Sequence, residues 1–393
     1  MLERERSLIR LLVSFPSKPM ARWMPLSRES GSVAVSKKQR VLVTGGAGFI
    51  GTALASLLAP SAERWVVVDS MHPQVHASPD RPVALHPSAE FIVADVTDES
   101  WWLEVIQDVR PDVVVHLAAE TGTAQSLDEA SRHANVNVLG TTRLIDSLSA
   151  VGHFPSRIVL SSSRAVYGEG RWVDEAGQQL YPGQRSHAQL ESGQWDFPGL
   201  RSLPSDSVST FPNPTSVYGA TKLAQENILS AWGSSHGVPV SVLRLQNVYG
   251  PGQSLSNPYT GIVSLFSQLA KGGDQIPLYE DGLITRDFVY IDDVAAALAE
   301  VIVREHPYEG PAIDIGSGVG TTIAQLAGVI ADLHGAPRPE VNGRYRDGDV
   351  RHAHVDISRS LEVLDWSPKW NVSDGIAALQ VWIDEQKSIV GAK

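Results

Sequence analysis

The chain has 393 residues, 42% of them hydrophobic and 19% charged, enough for two domains or one large α/β unit with an appendage and too apolar for a disordered polyelectrolyte. Its 32 Lys+Arg against 44 Asp+Glu give a net charge of −12, which argues against a nucleic-acid partner. Cysteine is absent, and with it disulfides, Cys-ligated zinc, iron–sulfur clusters and thiol catalysis. No apolar run approaches the roughly 18 residues a membrane span needs, so the expectation is a soluble cytoplasmic protein without a membrane partner.

Residues 1–40 differ from the rest. Nine Lys/Arg and three Asp/Glu give this stretch +6 and leave −18 for the remainder. The apolar run Leu8 to Phe15 suggests a targeting segment. It is short, however, is interrupted by Arg10 and lacks a following small-residue cleavage site. A disordered N-terminal extension, or an upstream start with Met20 or Met24 as the true one, is the favoured reading.

Regular structure begins at Val41. VLVT, then GGAGFIG, then the periodic apolar residues Ala53, Leu54, Leu57 and Leu58 read as strand, tight turn and helix. Further strands are expected at Trp65–Val68, Phe91–Ala94, Val113–Leu117, Arg157–Ser161 and Val240–Leu245, with helices at Ala130–Ala150 and Thr221–Trp232. Continuous apolar strands alternating with helices imply an α/β fold, a Rossmann-type doubly wound parallel sheet covered on both faces. Residues 41–250 would form this dinucleotide-binding domain. Residues 169–214, polar and aperiodic, read as an insertion near the active-site mouth. After Gly250 shorter helical patterns follow at Ile262–Ala270, Asp292–Val303 and Thr322–His334. They suggest a smaller substrate-binding domain over 251–393, part of which (285–315) returns to the first.

The glycines carry the first functional signal. Gly45 would allow the tight turn, Gly48 the approach of backbone to a pyrophosphate, and Gly51 close packing of helix on strand. Asp69, eighteen residues after Gly51 at the end of the next strand, would bind a ribose 2′-hydroxyl and repel a 2′-phosphate, favouring NAD. Asp95 could contact adenine or merely cap a strand end. A second cluster, Gly316-Ser-Gly318-Val-Gly320, has no acidic partner and reads as a helix-initiating turn with Thr321 or Thr322 as N-cap.

Ser163, Tyr218 and Lys222 carry the second signal. Tyr and Lys four apart share a helix face, and an ammonium beside a phenol would lower its pKa from about 10. The strand-end serine would hydrogen-bond the reacting oxygen. Together they describe removal of a proton from an alcohol whose carbon gives up hydride to a nicotinamide.

With these motifs in place, the stretch from Val41 to about Trp382 resembles the extended short-chain dehydrogenase/reductase family. The likeness is to its NAD-dependent nucleotide-sugar epimerases and dehydratases, through TGGAGFIG, HLAAE, SSSRAVYG, YGATK, LRLQNVYGPG, TRDFVYIDDV and GDVRHAHVD. MHPQVH, AQSLDE, SNPYTG and GRYRDGDVRH look most like the dTDP-L-rhamnose 4-epimerases. The resemblance implies that Phe49, Ile50, Val96, Leu117, Ala118 and Ala119 join the glycines, Asp69 and Asp95 around NAD. It implies Ser163 as the group polarising the sugar oxygen, Tyr218 as acid/base, and Lys222 as its tuner and ribose anchor. Glu120, Asn247, Tyr259, Arg286 and Arg351 would bind the nucleotide sugar, the two arginines clamping phosphates. A homodimer is implied as well.

Departures narrow the reading. Gln246 stands where many relatives have Phe. Arg164 follows Ser163 where dehydratases resemble one another in having Asp-Glu, which removes the acid/base pair for eliminating water. His352, His354 and Asp356 alternate onto one face, but the resemblance gives this region to phosphate rather than to metal. Trp101 and Trp102 suggest packing or a dimer surface. The expected activity is 4-epimerisation of a nucleotide-linked, dTDP-type 6-deoxyhexose through a transient 4-keto sugar. A ketoreductase using NAD(P)H is the alternative, followed by a 4,6-dehydratase or a non-catalytic NAD sensor.

Overall fold

A computed structural model of the protein describes residues 38–254 and 261–391, so the expectations for residues 1–37 and for Tyr259 lie outside the described residues. Seven parallel strands form the main sheet: β1 (Arg40–Thr44), β2 (Arg64–Asp69), β3 (Ala89–Val93), β4 (Val113–His116), β5 (Arg157–Ser163), β6 (Val240–Leu245) and β7 (Ile313–Ile315). Their order is β7-β6-β5-β4-β1-β2-β3, every neighbouring pair parallel, which is the expected Rossmann arrangement.

Period-two alternation divides the strand residues between two cores. Val41, Val43 and Val67 face one core, which includes Leu54 and Ala55 of the helix Phe49–Leu58 and Val294, Leu298 and Val301 of the helix Ile291–Val303. Leu42, Val66 and Val114 face the other, with Ile106, Leu144, Leu148 and Leu229 from three further helices. Burial on both faces is why these strands read as unbroken apolar runs. The predicted helix over Ala130–Ala150 is present but loosened: a π-helical turn, Asn135–Leu139, separates Ala130–Ala134 from Gly140–Val151.

Beyond β6 the chain builds a second sheet. Asn247–Tyr249 pairs parallel with Thr285–Tyr290, which pairs with Gly320–Thr322 on its other side and with His352–Ala353. A third core packs beneath it, with Tyr249, Phe266, Phe288, Leu326, Ile330 and Leu379 buried. The turn before the helix Ile323–His334 is capped as expected: Thr322 Oγ1 accepts from the Gln325 amide at 3.1 Å and the Gln325 side chain accepts from the Thr322 amide at 2.8 Å. The glycine cluster ahead of it is tied to Asp287, which accepts from the Ser317 and Gly318 amides.

The stretch 169–214 is more ordered than its composition suggests. It holds a three-stranded sheet (Gln179–Leu180, Trp172–Val173 and Arg201–Ser202) and a short helix, His187–Glu191. It is fastened to the second half of the chain by buried charge. Arg185 donates through Nη1 to Glu280 at 2.9 Å, pairs its charge with the same carboxylate, and donates to the Asp349 carbonyl at 2.9 Å. Arg351 shares Glu280 at 2.9 Å and binds Asp281 and Asp196 through both ends of its fork. Replacing Arg185 by Met leaves the buried Glu280 with Arg351 as its ion-pair partner and the Asp349 carbonyl without this donor, at a cost of about 1–3 kcal/mol. Urea denaturation of Arg185→Met checks this, and a loss under 1 kcal/mol would show that the clamp is not structural.

Candidate active site

The carboxyl ends of the parallel strands open onto a cleft of about 970 Å³. The helix Phe49–Leu58 points its N-terminus into it. Gly48 at the N-cap carries no side-chain cap, so first-turn amides without intrahelical partners face the cleft. Gly45 has φ +66°, and a Cβ there would stand 2.6 Å from the Ala118 nitrogen. At Gly51 a Cβ would lie 2.4 Å from Gly46 Cα, so helix and turn are in direct contact. A Cβ on Gly48 would meet only the Gly45 carbonyl, at 3.3 Å, which leaves the approach from the cleft open.

Asp69 closes β2 and lines the same cleft, its carboxylate held by the amides of Ala47 (3.1 Å) and Met71 (3.0 Å). His76 adds a contact at 3.4 Å that the sequence reading did not anticipate. Phe49, Ile50, Asp95 and Val96 line the cleft, as do Leu117, Ala118 and Ala119 after β4. The Asp95 loop is pinned from behind by two stacked indoles: Trp101 donates to the Asp95 carbonyl at 2.7 Å and Trp102 to the Val96 carbonyl at 3.0 Å. Asp95 spends one carboxylate oxygen on the Thr97 amide and hydroxyl, the strand-end cap. These residues fit a dinucleotide: a glycine-lined cradle, uncommitted amides for phosphate and a fixed carboxylate for ribose.

Ser163 ends β5. Tyr218 lies in the first turn of the helix Val217–His236, which Ser216 starts by accepting from the Gly219 amide at 3.0 Å. The serine hydroxyl faces the phenol and favours its ionised form. Their proximity depends on Gly219, since a Cβ there would stand 2.4 Å from the Ala165 carbonyl. His133 stands edge-on to the phenol, ring centroids 6.5 Å apart.

The charges differ from the sequence expectation. Burial dominates at Tyr218 and pushes the phenol above its ordinary value, with the Ser163 bond and the Arg164 charge opposing. Lys222 is 2% exposed, and burial lowers its own pKa to about 7 against the pull of Glu226. Behind it a buried polar chain holds the helix to the sheet: Thr44 and Thr141 bracket His116 at 2.7 and 3.0 Å, and Gln225 donates to Thr141 at 2.8 Å.

Of the residues expected at the substrate end, Glu120, Asn247 and Arg286 line the cleft. Glu120 is gripped through both oxygens by Arg132 at 2.9 Å. Asn247 accepts from Arg164 Nε at 2.8 Å. Arg286 pairs with Asp349 at 2.7 Å, not with its neighbour Asp287. Arg351 is a correction. Its side chain is 1% exposed and its fork is filled by Asp196, Glu280 and Asp281, so it is clamp rather than phosphate ligand. His352 bonds Asp196 and Thr285, and among the described residues no three of His, Cys, Asp and Glu assemble as a metal site. Arg164 and Arg346 also line the cleft, and neither was singled out as a site residue from the sequence.

A model of the NAD dependent epimerase/dehydratase family matches residues 41–316. The chain belongs to this family. The dTDP-L-rhamnose 4-epimerase of Burkholderia thailandensis is 58% identical over 348 residues, 88% of this chain and 96% of that protein. Among family structures, the UDP-glucose 4-epimerase of Thermotoga maritima with UDP-glucose superposes at a TM-score of 0.72, with 28% identity over 88% of this chain and 99% of that one. The Thermus thermophilus UDP-glucose 4-epimerase in complex with NAD gives 0.69 at 27% identity, with the same coverage.

The lysine yields a pH test. An unfolded lysine titrates near 10.4 and the buried one near 7, so the unfolded chain binds the extra proton between these values. Stability of the NAD-free protein relative to Lys222→Met should therefore rise from pH 7 to about 10 and level off beyond. Urea midpoints of both proteins across that range check it, and parallel curves would contradict it.

Proposed function

We propose that the chain is a 4-epimerase of a dTDP-linked 6-deoxyhexose, acting as a cytoplasmic homodimer that returns its NAD unchanged. The observation that carries this reading is 58% identity across nearly the whole of a dTDP-L-rhamnose 4-epimerase, joined to a Ser163–Tyr218 pair beside Arg164, which lines the dinucleotide cleft.

In this reading Ser163 holds the sugar 4-oxygen while Tyr218 removes its proton. Bound NAD supplies a hydride acceptor for C4 and the donor for the return. Gly45, Gly48 and the first amides of the helix Phe49–Leu58 hold its pyrophosphate, and Asp69 holds its adenosine ribose. Lys222, on the same helix as Tyr218, would anchor the other ribose. Asn247 and Arg286 hold the diphosphate, Asp349 fixing the guanidinium plane. With its diphosphate fixed, the 4-keto sugar turns its other face before Tyr218 gives the proton back. Arg164 and Ala165 stand where elimination of water would need acids, so a dehydratase is not favoured.

Incubation with dTDP-L-rhamnose and catalytic NAD, followed by NMR at C4, tests the proposal. Inversion at C4 without net NADH formation is expected. Tyr218→Phe should lower the rate by about 10²–10⁴-fold while keeping bound NAD. Stoichiometric consumption of NADH or NADPH would replace the epimerase by a ketoreductase.

A further inference from the structure

Arg164 has no assigned task, yet it stands at the reacting end of the cleft. It directly follows Ser163, begins the 3₁₀ turn Arg164–Tyr167 and lines the cleft wall. Its Nε is committed to Asn247 at 2.8 Å, which fixes the guanidinium plane. Arg286 faces it, but Asp349 neutralises that charge at 2.7 Å. No carboxylate among the described residues comes within ion-pair distance of Arg164. The tight seat of Gly219 on Ala165 joins this turn to the one that carries Tyr218. A fixed, half-buried positive charge is thus held beside the Ser163–Tyr218 pair.

We propose that Arg164 is a positioning residue for the proton-transfer step: held by Asn247, it is the cation that favours the Tyr218 phenolate. The inference rests on Tyr218 being the acid/base of the proposed epimerase. The groups facing the phenol are Ser163 at the end of β5, Arg164 in the following turn and His133 from the helix Ala130–Ala134, with Lys222 on its own helix. Ser163 is neutral. Lys222 is buried beside Glu226. Arg164 faces the phenol with its Nε fixed by Asn247, and Asp349 and Glu169 support its charge against burial and Arg286.

The test is ultraviolet titration of the Tyr218 phenolate in NAD-loaded enzyme, read as the difference from Tyr218→Phe, for wild type, Arg164→Gln and Arg164→Lys. Arg164→Gln should raise the phenol midpoint by about one pH unit and move the acid limb of kcat/KM with it. Arg164→Lys, which keeps charge and loses the fork, should stay within a few tenths of wild type. An unmoved midpoint in Arg164→Gln overturns the proposal, and so does an equal shift in both variants, which would assign the effect to the Asn247 bond. Retained NAD and an unchanged melting temperature establish that each variant is folded. The titration needs no substrate, so absent turnover of dTDP-L-rhamnose would count against the proposed activity and not against this assignment.

Discussion

The close seat of Gly219 on the Ala165 carbonyl is the contact on which the site depends. Ser163 stands where β5 ends and Tyr218 where a helix begins, both next to the cleft-lining Arg164. Nothing in either element alone makes them meet. Removing one methyl group from the helix start lets its first turn lie against the strand-end turn, and the two hydroxyls come to face each other. Any larger residue at position 219 would push the phenol away from the serine.

The same economy governs charge. The cleft takes its donors from backbone amides and from guanidinium groups whose partners are already fixed: Arg286 by Asp349 and Arg164 by Asn247. Groups positioned in advance need little reorganisation when a diphosphate or a developing oxyanion arrives. Buried ion pairs elsewhere do a different task. Arg185 and Arg351 share Glu280 and fasten the 169–214 stretch beside the strand that bears Arg286, so residues far from the chemistry set the frame of the substrate end.

Much of this was legible in the sequence because it is local. The turn GGAGFIG, the strand-end Asp69 and the YGATK helix start each declare themselves within a few residues, and the apolar strands announce burial on both faces. What failed to show is what long separations create. Arg351 reads as a phosphate ligand within GDVRH, yet its partners Asp196 and Glu280 lie 155 and 71 positions away. The aperiodic 169–214 stretch acquires its order from the same distant charges. Burial, which spacing does not reveal, dominates the titration of both Tyr218 and Lys222. Arg164 does leave a signal, a lone cation inside an otherwise small and apolar strand-end motif.

The central claim is that Tyr218 is the acid/base for the sugar 4-hydroxyl. The most direct measurement is a crystal structure of Tyr218→Phe with NAD and dTDP-L-rhamnose bound. The account predicts Ser163 Oγ within about 2.6–3.2 Å of the sugar 4-oxygen, the Phe ring edge directed at that oxygen and C4 against the nicotinamide. A sugar seated with its 4-oxygen toward Glu120 and away from Ser163 would contradict it.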